Sequence, residues 1–287
     1  MKKIALTYFI FFSILVNTSD AQEKEESIIL ATYTYGTTDR LENLQPLAKL
    51  IEKKLERKIC VITISFPTVD QLIDAMVRQE VDIVFVSTAG YFHYLEHAHA
   101  FEIAVALIDE SASATSYRSI IASSMKSGVA DWNELIEKSK DLSLTLVNPQ
   151  STSGYLFPFF YLQNHQMTPL EEHFASIDFS GSHQKALEEI LSGSADIAAF
   201  GANDYYALDS PKEKINILWM SGVIPLGPVL LRKTLEDDVK LRIEPILNSL
   251  HLEEPQIFES IKSGWVEAKN ASRFEKVDLD YYLNFLK

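Results

Sequence analysis

Residues 68–91 read TVDQLIDAMVRQEVDIVFVSTAGY, and two different periodicities follow each other within this stretch. Its first half carries apolar residues at i, i+3, i+4, i+7 and i+8, namely Val69, Leu72, Ile73, Met76 and Val77. This spacing predicts an amphipathic helix over 68–78. Residues 81–86 are then almost continuously apolar, as in a parallel strand covered on both faces, and the helix-start residues 87–90 follow. The order of helix, buried strand and helix predicts an α/β protein with largely parallel sheets.

The same alternation extends along the rest of the chain. Further strands are predicted at 28–33, 60–66, 120–123, 142–147, near 177, and at 196–200, 215–219 and 229–231. Helices are predicted after the start residues Thr37, Thr38 and Asp39, from Asp131, after Ser151, from His183 and through the C-terminal part.

Residues 182–205, SHQKALEEILSGSADIAAFGANDY, align with 68–91 without a gap. The pair Asp82-Ile83 falls on Asp196-Ile197, and Tyr91 falls on Tyr205. Two explanations are open at this point. Two helix-turn-strand units can resemble each other by chance, or the chain can hold two lobes of similar architecture that present strand ends and helix starts to a shared cleft. In open α/β sheets, ligands bind at that edge.

Composition excludes several classes of protein. With 47% hydrophobic and 23% charged residues the chain matches ordinary globular usage rather than disorder. It has 26 Lys and Arg against 40 Asp and Glu, a net charge of -14, which argues against a nucleic-acid binder because such binding uses clustered cations. Cys60 is the single cysteine, so an intramolecular disulfide is impossible, and its place in a strand predicts a buried structural thiol.

The N-terminus has the pattern of a secretory signal. Lys2 and Lys3 precede an apolar run over 4–16, and small residues follow up to Ala21. We expect residues 1–21 to be a signal peptide, cleaved before Gln22, because a run this short does not span a bilayer, which needs about 20 residues. No cysteine comes directly after the run, so a lipid anchor is not expected. The mature chain is therefore expected to be a soluble exported protein, and the periplasm is the location implied by the family resemblance described below.

The strongest candidate for a binding site is Ser151-Thr152-Ser153-Gly154-Tyr155, directly after the predicted strand 142–147. Hydroxyl groups, unpaired backbone N–H groups and the positive end of a helix dipole meet there, which is typical of an oxyanion cradle. The alternative is an ordinary N-cap with redundant hydroxyls. Two other junctions, 87–89 and 181–183, have the same character and favour a shared anion site.

Other polar residues flank these junctions. Tyr35, Tyr91 and Tyr117 can each supply a hydroxyl to a ligand and a ring to its apolar part, although packing is the commoner role for each taken singly. His183 can donate to an anion from a helix start. Asp204 can accept a proton from a singly protonated anion or orient a tyrosine.

Metal binding and catalysis have weaker support. His93 and His97 have the i, i+4 spacing of one helix face, but no third ligand of the HExxH kind is evident, so no metal site is predicted. Ser151 and Ser153 are not in a G-x-S-x-G elbow, and no P-loop or GxGxxG motif is present, so neither a catalytic residue nor a cofactor is predicted. An exported serine hydrolase with His165 or His183 as base remains an alternative.

These motifs resemble a known family. The string STSGYLFP at 151–158, the downstream Gly181-Ser182-His183, the segment 116–119 and the stretch VDIVFVSTAGY resemble the PhnD-type phosphonate, phosphite and phosphate binding proteins of ABC importers, over roughly 28–235. The resemblance implies a type II periplasmic-binding-protein fold, two α/β lobes joined by two crossovers. Lobe one would comprise 22–115 plus 207–287, and lobe two 116–206.

The resemblance also implies a site. Its anion-binding serine-threonine-serine falls on Ser151, Thr152 and Ser153, its histidine on His183, and its tyrosines on Tyr35 and Tyr91. Its acidic residue falls on Asp204, with Asn203 as the alternative, and Tyr117 and Ser87 complete the candidate set. The implied function is capture of a small oxyanion by a monomer that delivers it to an ABC permease. A periplasmic sensor that presents the same ligand to a membrane histidine kinase is the other possibility.

Overall fold

The computed structural model of the protein describes residues 26–34, 39–113, 115–208 and 214–286. The strands in these ranges are β1 (Glu26–Tyr33), β2 (Ile59–Phe66), β3 (Ile83–Phe85), β4 (Phe101–Ile108), β5 (Ser119–Ser124), β6 (Ser143–Leu146), β7 (Ser176–Phe179), β8 (Ile197–Gly201), β9 (Ile215–Met220), β10 (Pro228–Arg232) and β11 (Arg273–Glu275). The helices are α1 (Leu41–Leu55), α2 (Val69–Val77), α3 (Thr88–His97), α4 (Trp132–Lys138), α5 (Phe157–Asn164), α6 (His183–Ser192), α7 (Ala202–Tyr206), α8 (Asp237–Glu253), α9 (Pro255–Ser263) and α10 (Leu279–Leu283).

Two sheets organise these elements, and each forms the centre of one lobe. The sheet of lobe one has the order β11-β4-β10-β3-β1-β2, and that of lobe two the order β7-β6-β8-β5-β9. β1 is parallel to β2 and β3, and β6 to β7 and β8. The remaining pairs are antiparallel. The predicted α/β class with two lobes is confirmed, but the sheets are mixed rather than largely parallel.

The chain crosses between the sheets after β4 and again after β9. β9 pairs antiparallel with β5 from Ile215 to Met220, so it belongs to lobe two. The boundary predicted at 206/207 is therefore wrong, since lobe two continues to Met220 and the second crossover lies between Met220 and β10.

The aligned stretches 68–91 and 182–205 form equivalent units. The first folds as α2, β3 and the start of α3, and the second as α6, β8 and α7. Their aligned aspartates also make equivalent hydrogen bonds. Asp82 Oδ2 accepts from Ile29 N on β1 at 2.8 Å, and Asp196 Oδ2 accepts from Ser143 N on β6 at 3.0 Å. In both lobes the aspartate ties its strand to the parallel neighbour.

Apolar residues fill both faces of each sheet. In lobe one α1, α8 and α9 cover one face, and α2, α3 and α10 contribute to the core on the other. β2 is the outermost strand, and Cys60 on it is exposed. The prediction of a buried thiol is wrong because an edge strand leaves part of its surface to solvent. No helix in the described ranges is long and apolar enough to cross a membrane. The predicted signal peptide, residues 1–21, lies outside the described residues.

Candidate functional site

A cavity of about 520 Å³ lies between the two lobes. The junctions predicted at 87–89, 151–155 and 181–183 all contribute to its lining, through Ser87, Ser151, Thr152, Ser153, Gly181 and His183. Lobe one supplies Tyr33, Thr34, Arg40, Thr68, Asp70, Ser87, Gly264 and Glu267, and lobe two supplies Tyr117, Gln150, Ser151, Thr152, Ser153, Gly181, His183, Gly201, Asn203 and Asp204. The cleft therefore lies where the strands of both sheets end and their helices begin.

A tight turn positions the serine-threonine-serine segment. Residues Thr152–Leu156 form a π-helical turn that continues into α5, and Ser151 is its N-cap, with its Oγ accepting from Gly154 N at 3.1 Å. A Cβ on Gly154 would clash with the Val147 side chain, so only glycine allows the turn to pack on the end of β6. Ser119 Oγ donates to Ser153 O at 2.6 Å and fixes the turn to β5. Ser151 thus has the capping role that was the alternative to ligand binding, while still lining the cleft.

His183 lies opposite this turn as a neutral donor. Its Nδ1 accepts from Gly201 N at 3.0 Å, so the ring proton resides on Nε2, which lies 3.5 Å from Ser153 Oγ. Burial lowers the pKa of His183 to about 4, because the site penalises the charged imidazolium. At neutral pH the ring presents an N–H to the cleft without a charge.

Three polar side chains converge on Gly201. A Cβ placed on this residue would lie 3.2 Å from Ser153 Oγ, 3.4 Å from Asp204 Oδ2 and 3.8 Å from His183 Cε1. The φ angle of Gly201 is -73°, an ordinary value for any residue. The missing side chain therefore provides space among these groups rather than backbone freedom.

The cleft favours the protonated forms of both Asp204 and Tyr117. Burial, and secondarily the charge of Glu267, raises the pKa of Asp204 to about 6. Burial followed by the charge of Glu267 also raises the pKa of Tyr117 above its usual value, and the hydroxyls of Ser153 and Thr152 offset this in part. A protonated carboxyl and a phenol can each donate a hydrogen bond to an anion.

Arg40 brings a positive charge into the cleft from lobe one. It is 2% exposed, and its Nε donates to Gly264 O at 2.7 Å. The guanidinium carbon lies 4.6 Å from the ring centres of both Tyr33 and Trp265, which places the cation between two aromatic faces. The sequence reasoning missed this residue. The available signal was an arginine, rather than a capping residue, directly before α1.

Hydrogen bonds close the cleft along one side. Thr152 Oγ1 accepts from Ala89 N at 3.0 Å, Ser87 Oγ donates to Gln150 O at 3.4 Å, and Gln150 Nε2 donates to Asp70 Oδ1 at 2.6 Å. Each of these bonds joins lobe one to lobe two. Ser87 lines the cleft, but its hydroxyl also caps Gly90 N at 3.1 Å, so the first junction holds the lobes together.

The other candidates are placed differently. Tyr91 does not line the cleft: its ring packs against Phe92 and Tyr282 in the core of lobe one, with the ring centres 6.0 and 5.8 Å away. Tyr35 lies outside the described residues. Asn203 and Asp204 both line the cleft, and Asn203 Nδ2 donates across it to Val266 O at 3.5 Å.

The sequence matches one family model, described as the periplasmic substrate-binding protein of a phosphonate ABC transporter, over residues 30–282. This chain belongs to that family. The phosphonates-binding periplasmic protein of Escherichia coli K12 is 22% identical over 288 residues, which cover 96% of this chain and 81% of the relative.

Solved structures of phosphonate-transporter binding proteins share the fold. The binding-protein component of a phosphonate ABC transporter from Pseudomonas aeruginosa superposes with a TM-score of 0.68 at 19% identity, covering 91% of this chain and 84% of that one. PhnD1 from Prochlorococcus marinus, solved in complex with methylphosphonate, gives a TM-score of 0.70 at 17% identity, covering 91% and 96%. The type II periplasmic-binding-protein fold expected from the resemblance is confirmed.

Proposed function

We propose that this protein captures a small oxyanion of the phosphonate, phosphite or phosphate class between its two lobes and delivers it to an ABC permease. The observation that carries the proposal is that Ser153 Oγ, the His183 ring and Asp204 come together around Gly201 in the cleft lining. All three groups belong to lobe two and line the interlobe cleft. A tetrahedral anion placed there would meet several donors at once.

Short-range donors in the cleft support an anionic ligand despite the net charge of -14 and the carboxylates of Asp70, Asp204 and Glu267 in the lining. Most donors are neutral, since Ser153 is a hydroxyl and His183 is an uncharged imidazole whose Nδ1 is occupied. Arg40 adds one buried cation from the opposite lobe. Hydrogen bonds of this kind act at short range and depend on geometry, so they can hold an anion that the protein's overall field would repel.

The size of the cleft favours an anion that carries an organic substituent. A volume of about 520 Å³ lies within the range of about 300–1,000 Å³ typical of sites for organic ligands. Tyr33 and Tyr117 supply ring surface beside the donors. The related Prochlorococcus protein was solved with methylphosphonate, an anion of this kind.

Closure would couple binding to transport. Thr152 and Gln150 of lobe two bond to Ala89 and Asp70 of lobe one, so these contacts exist only when the lobes are together. A ligand that touches both lobes shifts the population toward this closed form. The closed form is then the state that docks on the permease.

A hydrolase is disfavoured by the tautomer of His183. In a serine hydrolase the histidine Nε2 accepts the serine proton while Nδ1–H donates to a carboxylate. Here Nδ1 accepts from Gly201 N, so Nε2 carries the proton and cannot accept another from Ser153. The pair is arranged to donate hydrogen bonds rather than to activate a nucleophile.

Titration calorimetry with methylphosphonate, aminoethylphosphonate, phosphite, phosphate and sulfate tests the proposal. We expect at least one phosphorus oxyanion to bind with one-to-one stoichiometry, and the double variant Ser151→Ala/Ser153→Ala to weaken it at least tenfold. Ser180→Ala is the matched control, because its hydroxyl donates to Leu146 O and Ser182 O outside the cleft lining. Unchanged binding in the double variant would refute the site, and failure of all five anions would refute the ligand class.

Export to the periplasm rests on the signal predicted over residues 1–21. Mass spectrometry of the protein recovered from the periplasm should give the mass of a chain that begins at Gln22. An uncleaved N-terminus would contradict this part of the proposal.

A further inference from the structure

A cluster of metal-ligating side chains lies outside the cleft, on α3. His93, Glu96 and His97 each offer one ligand atom, and these three atoms lie within 4.8 Å of one another. The two imidazole rings are perpendicular, with centres 4.9 Å apart, and His93 Nδ1 is 3.2 Å from Glu96 Oε2. We propose that this cluster binds a transition-metal ion of the zinc type, separately from the oxyanion.

The ligand set matches the chemistry of such an ion. Two imidazoles and one carboxylate are a recurrent zinc set, which leaves a fourth position for water. Imidazole selects zinc, copper or nickel over magnesium and calcium, which prefer oxygen ligands. The sequence analysis recognised the i, i+4 spacing of the two histidines but no third ligand. Glu96, one residue before His97, supplies it, since positions 93, 96 and 97 share one face of a helix.

Packing holds the backbone of this cluster in place. Tyr94, between the two histidines in sequence, is fully buried, and its hydroxyl accepts from Ala100 N at 2.7 Å and Phe101 N at 3.2 Å. These bonds tie the last turn of α3 to the start of β4. The backbone that carries the three ligands is therefore ordered before any ion binds, which reduces the entropy cost of binding.

Electrostatics at this end of the helix favour a cation. The cluster occupies the C-terminal half of α3, where the helix dipole is negative. Residues 88–102 contain no Lys or Arg. Ser87, the N-cap of α3, lines the oxyanion cleft, whereas His97 lies at the opposite end of the helix. Metal binding and oxyanion binding would therefore use opposite ends of one element.

Calorimetry with zinc chloride on the untagged mature protein tests this inference. We expect one equivalent of zinc to bind, at least tenfold weaker binding in His93→Ala and in His97→Ala, and loss in the double variant. Glu96→Gln should weaken binding less than either histidine change. His99→Ala is the matched control, an exposed histidine close by in sequence but not in the cluster, and it should leave zinc affinity unchanged.

A second measurement separates ligation from folding. Because zinc would bind only the folded chain, it should raise the melting temperature of the wild type and of His99→Ala but not of the double variant. Oxyanion affinity should be unchanged in all the histidine variants, which also shows that they fold. The inference is overturned if the wild type binds no zinc, if the double variant keeps wild-type affinity, or if His99→Ala weakens binding as much as His97→Ala.

Discussion

Thr152 Oγ1 of lobe two accepts a hydrogen bond from the backbone N–H of Ala89, in the first turn of α3 of lobe one, at 3.0 Å. Both residues are buried. Each was expected to lie beside the ligand as part of an anion-binding junction, yet here the two junctions bind each other. Neighbouring residues of the serine-threonine-serine turn therefore have different roles: Thr152 joins the two lobes, and Ser153 faces His183.

Thr152→Val should weaken ligand binding by roughly tenfold. Valine has nearly the same shape but cannot accept from Ala89 N, and an unsatisfied buried N–H costs about 1–3 kcal/mol. The penalty applies only to the closed form, because in the open form water can reach the N–H. Calorimetry with the best ligand of the panel measures the loss. An affinity equal to that of the wild type would show that this bond does not stabilise closure.

Ser123→Ala is the control for the threonine variant. Its hydroxyl donates to Val129 O at 2.6 Å inside lobe two, and the residue is fully buried and does not line the cleft. Its removal also costs a buried hydrogen bond, so we expect a lower melting temperature with unchanged affinity.

Much of the fold follows from periodicity alone. The helix predicted over 68–78 forms over Val69–Val77, and the strand predicted at 120–123 is β5. Two strands were not predicted, β4 at Phe101–Ile108 and β11 at Arg273–Glu275. No turn signal separates β4 from the helix before it, and β11 is only three residues long. The lobe boundary was misplaced for a related reason: which sheet β9 joins depends on a long-range pairing with β5 that local sequence does not encode.

In the candidate site, too, local sequence predicts some residues, while others depend on long-range contacts. Residues at strand-to-helix junctions could be predicted, since topology brings such junctions together, and Ser151, Thr152, Ser153, His183 and Asp204 do line one cleft. Tyr91 does not, because it follows the junction by one helical turn and points into the core. The position of Arg40 before α1 was the one local signal for it, and its place between Tyr33 and Trp265 was not predictable because these rings lie far from each other in sequence.

Gly201→Ala should abolish or strongly weaken oxyanion binding while the protein still folds. The φ angle of -73° accepts alanine, but the new methyl group would occupy the space between Ser153, Asp204 and His183. We expect a loss of affinity of at least tenfold by calorimetry, with a far-ultraviolet circular dichroism spectrum like that of the wild type. Gly222→Ala is the control, since a Cβ there meets nothing within 4 Å. Equal affinities in both variants would place the ligand elsewhere in the cleft.

Arg40→Lys should lower both stability and affinity, although it keeps the charge. Lysine cannot reproduce the planar contact with two rings, and its single ammonium does not replace the Nε bond to Gly264 O at 2.7 Å. We expect a loss of about 1–3 kcal/mol in unfolding free energy, from the lost cation–π and hydrogen-bond contributions, and clearly weaker anion binding. Arg242→Lys, at an exposed ion pair with Glu56 outside the cleft, should change neither by much. Wild-type affinity in Arg40→Lys would assign Arg40 a purely structural role.

The pH dependence of binding should report on Asp204. Its pKa of about 6 means that the carboxyl donates a hydrogen bond at lower pH and repels an anion once ionised. Asp204→Asn keeps a donor at every pH, so the affinity of the wild type relative to this variant should fall as pH rises through 6, by up to about tenfold per pH unit. Using the ratio at each pH cancels the ionisation of the ligand itself. A ratio that stays constant from pH 5 to 8 would contradict the assignment.

The unfolding free energy of the ligand-free protein should show two opposite effects of pH from this cleft. The folded-state pKa of Asp204 is raised from 3.8 to about 6, so its contribution is present below pH 3.8 and is lost as pH rises to 6. The folded-state pKa of His183 is lowered from 6.5 to about 4, so its contribution is present above pH 6.5 and is lost as pH falls to 4. As pH rises from 4 to 7, the unfolding free energy of Asp204→Asn should therefore increase by roughly 1–2 kcal/mol relative to that of the wild type. This is less than the pKa shift alone would give, because water partly reaches the carboxyl group. His183→Gln should instead lack the decrease in unfolding free energy that His183 causes as pH falls from 6.5 to 4. Urea unfolding at a series of pH values measures the effect in both variants. Parallel pH profiles for the wild type and both variants would show that neither group is strained by the folded cleft.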